Sequence, residues 1–332
     1  MTRLMIATAL LFALCVSRSA AAPTSSGPLT ATPPVVVPRS PGYFDYMTVD
    51  AGYRRLLAAH AANDQLAIVD MDAGVVLQQV DLGDGAGGAG VAVDVRDGKY
   101  FVGTGLDKVV DINRKNMVKQ ADIGLPGPVD GIAFDPNNDT LYADEGGGTR
   151  IWAINGKSDK LVATIAVPGK PEYVDYDPVS NMLYQNIELP EPSMVFAIDP
   201  KTNTVVQRWP VAPAVRIHGL AIDGTTGRVF SIGLNGKLDI IDVKTGAIVS
   251  TVDVAPRVDQ IAFDAGTKRL YCPSGTGVMS VVQETDAGGT VLGSVAIPRG
   301  THTIAIDPKT HDVWISYGAP DNDYVEKLTP NL

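Results

Sequence analysis

Asp45, Asp130, Glu172, His218, Asp259 and His302 recur along the chain at intervals close to a common period, and Ala89 fills the one remaining place in the series. Six of seven equivalent positions therefore carry a carboxylate or an imidazole. The whole chain of 332 residues has only 37 Asp and Glu and 4 His, so the column is enriched. If the fold brings these positions together, several carboxylates share one site. Like charges there raise one another's pKa, and a cation relieves the repulsion. Carboxylate oxygens suit calcium, magnesium or manganese, while imidazole adds affinity for zinc. The series thus points to one divalent ion held by Glu172, His218, Asp259 and His302, with Asp45 and Asp130 beside it as ligand-binding residues. The competing reading is a solvated polar rim without a ligand.

These positions are equivalent because each lies five residues before an aspartate that marks a repeat. The marker aspartates are Asp50, Asp94, Asp135, Asp177, Asp223, Asp264 and Asp307, at spacings of 44, 41, 42, 46, 41 and 43 residues. Six and seven residues after each marker stands a large apolar pair, from Leu56-Leu57 to Val313-Trp314. Each repeat divides into four short β-branched runs between turn residues. Strand a precedes the marker (GIAF, GLAI, QIAF, TIAI), strand b carries the apolar pair, strand c reads like KLDIID, and strand d like LVATIAV. Units of ~40–45 residues with four strands are propeller blades. The predicted fold is all-β: a seven-bladed β-propeller of four-stranded antiparallel blades.

The seventh repeat supplies only strands a to c. The segment LTATPPVVVP at 29–38 resembles LVATIAVP at 161–168, so it is predicted to add the outer strand of the last blade and close the ring. In such a ring the residue five places before each marker stands at the mouth of the central channel. The 34 Gly and 23 Pro are then a turn inventory.

Composition narrows the function classes. The hydrophobic share of 45% is ample for a core, and the net charge of -10 without a basic stripe argues against nucleic acid. Met1-Thr2-Arg3, the run LMIATALLFALCV and the small residues up to Ala21 read as a signal peptide, residues 1–21. Residues 22–28 are expected as a flexible mature N-terminus and 29–332 as a single propeller domain. Export to the periplasm or outside the cell follows, as does a mature chain without a membrane span. Cys272 is then the sole mature cysteine, so no internal disulfide forms, and a buried thiol is expected. A monomer is expected. Gly85-Ala86-Gly87-Gly88-Ala89-Gly90 matches G-x-G-x-x-G, but VAVDVRDGKYFV follows in strand period rather than as a helix, so no nucleotide site is read there. There is no haem motif. Asp135-Pro136-Asn137-Asn138-Asp139 lacks the Gly and Glu of a calcium loop and reads as an a–b turn.

Further ligand-binding candidates come from outside the column. Asp175 stands where other repeats carry alanine, placing it either in the channel beside Glu172 or against a local backbone amide. The b–c loops should share the funnel's face; they carry His60, Asn63 and Asp64, then Asp144 and Glu145, then Asn186 and Glu188 in the long run QNIELPEPS.

The repeats VDGIAFDPNNDTLYADEGGGTRIWAINGKSDKLVATIAV and IHGLAIDGTTGRVFSIGLNGKLDIIDVKTGAIVSTVDV resemble the YVTN-repeat (YncE-like) β-propeller family, over about residues 29–329. The resemblance implies an exported propeller and leaves the activity open. Similar blades occur in lactonase-like propellers and in peptidylglycine amidating lyase, where metal ligands come from funnel positions; this similarity implies His218 and His302 as imidazole ligands, although the full ligand set of neither family is matched. Three functions remain open. The first is a binding propeller that holds a cation, a small molecule or a peptide at the funnel. The second is a metal-dependent lactonase-like hydrolase or lyase, with His218 or His302 as general base. The third is a protein–protein platform that uses the rim.

Overall fold

A computed structural model describes residues 27–38 and 42–331. The expected signal peptide and most of the segment 22–28 lie outside the described residues. The chain forms seven antiparallel sheets, spanning 47–81, 88–124, 129–166, 170–211, 217–253, 262–296 and 303–330, here blades one to seven. A single 3-10 turn, Ala61–Asn63, is the one helical element among the described residues. Strand a of each blade contacts strand a of the next, and that of blade seven contacts that of blade one. The molecule is a seven-bladed β-propeller.

The apolar pair explains why the blades must stack. Successive side chains of a strand point to opposite faces. Leu57 and Tyr100 meet in the core between blades one and two, and Phe101 and Leu141 in the core between two and three. The alternation continues with Tyr142 and Leu183, then Tyr184 and Val229, then Phe230 and Leu270, then Tyr271 and Val313. Trp314 and Leu56 share the core between blades seven and one. Every pair thus serves two seams, and no blade keeps a face for water.

The marker aspartates hold the a–b turns. Each is buried, and Oδ1 accepts the backbone N–H two residues on, as in Asp94 with Arg96 at 2.9 Å and Asp223 with Thr225 at 2.9 Å. Four residues after each marker the chain turns left-handed, at Arg54, Gly98, Asp139, Asn181, Gly227, Lys268 and His311. Several of these reach back to the preceding blade. Lys268 Nζ lies 2.5 Å from Asp223, His311 Nδ1 2.9 Å from Asp264, and Arg54 Nη1 2.7 Å from Asp307.

The ring closes as expected, in two pieces. β1, Leu29–Ala31, pairs with Leu328, Thr329 and Pro330, and β2, Val35–Val37, pairs with Asp323, Tyr324 and Val325, both antiparallel. Pro33-Pro34 separates them, since proline has no N–H for the ladder. The Asn331 amide donates to Gly27 O and its backbone N–H to Pro28 O, so the last two residues of the segment 22–28 are tethered. At the same seam His60 of blade one pairs with Asp323 of blade seven, both buried, and stacks on Phe44 at 4.4 Å between ring centres. Asp323 Oδ1 also accepts the Gly42 N–H at 2.9 Å. Deleting residues 29–38 removes both pairing segments and the buried Leu29 and Val37. At ~1.5–3 kcal/mol per buried aliphatic side chain, the loss is about 3–6 kcal/mol before edge exposure is counted. Thermal unfolding should show a clearly lower Tm, and an unchanged Tm would rule out closure by this segment.

Candidate cation site in the central funnel

The column of charged residues converges as the period demands. Asp45, Asp130, Glu172, His218 and Asp259 line one cavity of about 190 Å³ at the channel mouth. Asp130, Glu172 and His218 lie near the start of strand a, at a bulge where its pairing with strand b shifts register, and Asp45 and Asp259 lie just before their strands. Tyr46, Tyr173 and Gln260 complete the lining together with Lys170, and none of these four was singled out from sequence.

The three uncharged residues make a floor. They occupy the next column, four residues before the marker, where Gly90, Gly131 and Gly219 stand in blades two, three and five. Tyr46 donates across the channel to Glu172 O at 3.0 Å and stacks on Tyr173 with centroids 5.6 Å apart. Gln260 Nε2 donates to Asp45 O at 2.8 Å. Glycine in those three blades makes room, with Thr303 in blade seven; a Cβ on Gly90 would lie 2.5 Å from Ile132 N. The alternation of glycine with large polar residues in that column was a signal available to sequence reading.

His218 is the best-defined group. Its Nδ1 lies 2.9 Å from Asp259 Oδ1 and 3.7 Å from Glu172, while Nε2 lies 4.0 Å from Glu188 Oε2 and makes no hydrogen bond. Glu172, Glu188 and His218 each offer a ligand atom within 4.8 Å of the others. Metal-bound histidines usually give their other ring N–H to a carboxylate, which orients the ring. The donor set and this orientation fit a divalent ion. Lys170 Nζ stands 2.8 Å from Glu172 and 3.8 Å from Asp130, a tethered cation already inside the funnel. Arg216 caps the rim through Glu188 at 3.2 Å.

Three predicted site residues fall elsewhere. His302 does not line the cavity; its ring turns to Gly300 O, 2.8 Å from Nδ1. The cluster of possible ligand atoms includes Glu188, which the sequence placed among the ligand-binding residues, and does not include His302. Asp144 is fully buried, because its strand places it in the seam with blade four, where Gln185 Nε2 donates to Oδ2 at 2.9 Å. It sits behind the wall at Gly131 rather than facing a ligand. Asp175 lies below the tyrosine floor, lining cavities on the far side, and accepts its neighbour's N–H from Tyr176 at 2.8 Å. Burial pushes its pKa up to about 6. Cys272 is buried, and burial pushes its thiol pKa up. The glycine-rich run is a linker: Asp64 accepts the N–H groups of Gly85 and Gly87 at 2.8 Å each, and strand Gly88–Asp94 follows.

The electrostatics are those of a crowded acid site. Burial, then the charges of Asp130 and Asp259, hold Asp45 well above the usual carboxylate range. Burial likewise raises Asp130, with Lys170 opposing. Burial pushes Glu172 up to about 7 against the attraction of His218 and Lys170, and it shares a hydrogen bond with Glu188. Burial works to raise Glu188 and Asp259 too. The Glu172 hydrogen bond and Arg216 outweigh it at Glu188, and His218 outweighs it at Asp259, so both end below their ordinary values. Burial works to lower His218, but Asp259 and Glu172 leave it raised.

No protein-family model matches the chain, and no curated protein matches it in sequence. Solved structures do match. A chain titled Kuenenia stuttgartiensis Hydrazine Synthase superposes with a TM-score of 0.75 at 15% identity, covering 87% of this chain and 96% of that one. A chain of a structure titled Mitotic Checkpoint Complex gives 0.78 at 13% identity, covering 98% and 100%. These likenesses show the fold alone. With 1818 matching chains, a propeller ring carries no single function, and the funnel's own chemistry must decide.

Glu172 and His218 make stability pH-dependent in one direction. The folded chain keeps Glu172 protonated from its ordinary 4.5 up to about 7, where the unfolded chain has released the proton. The raised His218 likewise holds its proton above the ordinary histidine value of 6.5. More protons bound when folded means that stability falls as pH rises through these windows. Wild-type Tm should therefore decline between about pH 5 and 8. Glu172→Gln should remove on the order of 2 kcal/mol of that decline. Parallel Tm–pH curves for the two proteins would contradict the buried, protonated Glu172.

Proposed function

We propose that this chain is an exported YVTN-repeat-type propeller that binds a divalent cation at its acidic funnel, as a binding protein rather than an enzyme. The observation that carries the reading is His218: its ring is fixed through Nδ1 to Asp259, and its Nε2 has no hydrogen-bond partner on the side where Glu188 approaches. Glu172, Glu188 and His218 would be the ligands and Asp259 the positioning residue. Asp45 and Asp130 add negative potential, which attracts a cation and repels anionic ligands. Lys170 would give up its place on Glu172 when the ion enters, so the funnel discriminates against weakly bound monovalent ions. The signal-like N-terminus supports export to the periplasm or beyond. Among the described residues no helix is long and apolar enough to cross a membrane.

A mixed carboxylate and imidazole set favours zinc or manganese over calcium. Chelator-treated protein titrated calorimetrically with zinc or manganese chloride should bind about one ion at this site. His218→Ala and Glu172→Gln should each weaken binding at least ~10-fold, as losing a ligand or its support does elsewhere. Unchanged binding in both variants, or none in wild type, would overturn the reading.

A hydrolytic reading rests on the same Asp259–His218 pair. A bound metal would polarise a carbonyl or lower the pKa of a water. His218 cannot supply both a metal ligand and a free base through Nε2, and His302 stands off the cavity. Lactone substrates should consequently turn over no faster with the zinc-loaded protein than with the His218→Ala variant.

A further inference from the structure

The seven a–b turns form a second ring, on the face away from the funnel, in which each marker aspartate meets the next blade. Six of the seven have a partner for Oδ2. Arg114 and Tyr100 reach Asp50 Oδ2, each at 2.7 Å. Asn138 serves Asp135 at 2.8 Å, Ser180 N–H serves Asp177 at 3.1 Å, and Lys268 serves Asp223 at 2.5 Å. Thr267 serves Asp264 at 2.6 Å, and Thr310 serves Asp307 at 2.8 Å. At four seams the next blade also sends a basic side chain: Arg114, Lys268, His311 or Arg54.

The seam between blades two and three breaks this pattern. Asp94 is fully buried, and its Oδ2 has no hydrogen-bond partner. The residue in the place of Lys268, His311 and Arg54 is Asp139, an acid in the same left-handed turn position. Asp97 brings a third carboxylate, and the three offer oxygens within 4.8 Å of one another. A buried carboxylate oxygen without a partner is costly, and two further negative charges add to that cost. Arg96 compensates only in part. It lies 2.5 Å from Asp139 and 3.6 Å from Asp97 and donates to Pro136 O at 3.3 Å, but it leaves Asp94 Oδ2 without a hydrogen bond and is itself 48% exposed, so an entering cation would have to displace these contacts.

We propose that the seam between blades two and three binds a calcium ion through Asp94 Oδ2, Asp97 and Asp139, with Arg96 displaced to solvent. The ion stands where Lys268 and Arg54 place their charges at other seams. An all-oxygen, turn-borne donor set is that of a hard cation with flexible coordination, hence calcium before magnesium or zinc. The site lies on the opposite face from the funnel and does not depend on it.

Calcium chloride added to chelator-treated full-length protein should raise Tm by about 4 °C at roughly a hundred times Kd. The gain should persist in Glu172→Gln, which disables the funnel ligand set. Asp139→Lys supplies in place the cation that Lys268 provides elsewhere; it should unfold no lower than chelated wild type and gain nothing from calcium. If that variant fails to fold, the near-isosteric Asp97→Asn, Asp139→Asn pair should lose the gain. A calcium gain surviving either change in the Glu172→Gln background, no gain in wild type, or a gain with magnesium alone would overturn the proposal.

Discussion

Strand b is buried on both sides, and most of the architecture follows from that. Its adjacent apolar residues, such as Tyr100 and Phe101, enter two different cores. A blade taken alone would expose one of those cores on each face, at ~1.5–3 kcal/mol for each large side chain left in water. Every blade therefore requires two neighbours, and a linear array would leave two blades unsatisfied. Ring closure is the only arrangement that removes both ends. The chain meets that demand from its two ends at once, with β1 and β2 laid on the last strand and His60 pinned against Asp323 across the same seam.

The same stacking explains how the funnel tolerates its charge. Two like charges 4 Å apart repel by about 4 kcal/mol at an effective dielectric near 20, and local attractions leave Asp45, Asp130 and Glu172 raised while His218 compensates Asp259. The seams hold the column in place regardless of what stands in it. Local relief comes from proton uptake at Glu172, from Lys170 and from the His218–Asp259 pair. The site is thus strained electrostatically while remaining rigid sterically, which is the condition under which a cation gains most on entry.

The period made blade count, strand order and ring closure legible, because each depends only on spacing and pleat. The convergence of Asp45, Asp130, Glu172, His218 and Asp259 was legible for the same reason. What the period could not supply was depth along the axis and side-chain direction. His302 obeys the column's spacing yet turns to Gly300 O. Asp144 was placed in a loop but belongs to the strand Thr140–Glu145, whose pleat turns it into a seam. Lys170 escaped because it lies two residues outside the column, and Tyr46 and Tyr173 because aromatic residues in a repeat read first as core.

A repeated ring provides its own controls, and departures from a column are more informative than the column. Alanine at five of seven places makes Asp175 notable, but its carboxylate finds a backbone amide and needs nothing more. Tyr46 and Tyr173 depart from glycine and find each other and a carbonyl across the channel. Asp139 departs from a set that includes Arg54, Lys268 and His311, and what it meets is Asp94, a carboxylate with one oxygen already unserved. The first two departures are resolved within the protein. The third is resolved only in part, because Arg96 pairs with Asp139 while no described side chain reaches Asp94 Oδ2. Burial favours the protonated form of Asp94, and the calcium ion proposed for this seam would instead serve that oxygen as a carboxylate, adding the positive charge that Arg96 supplies only in part.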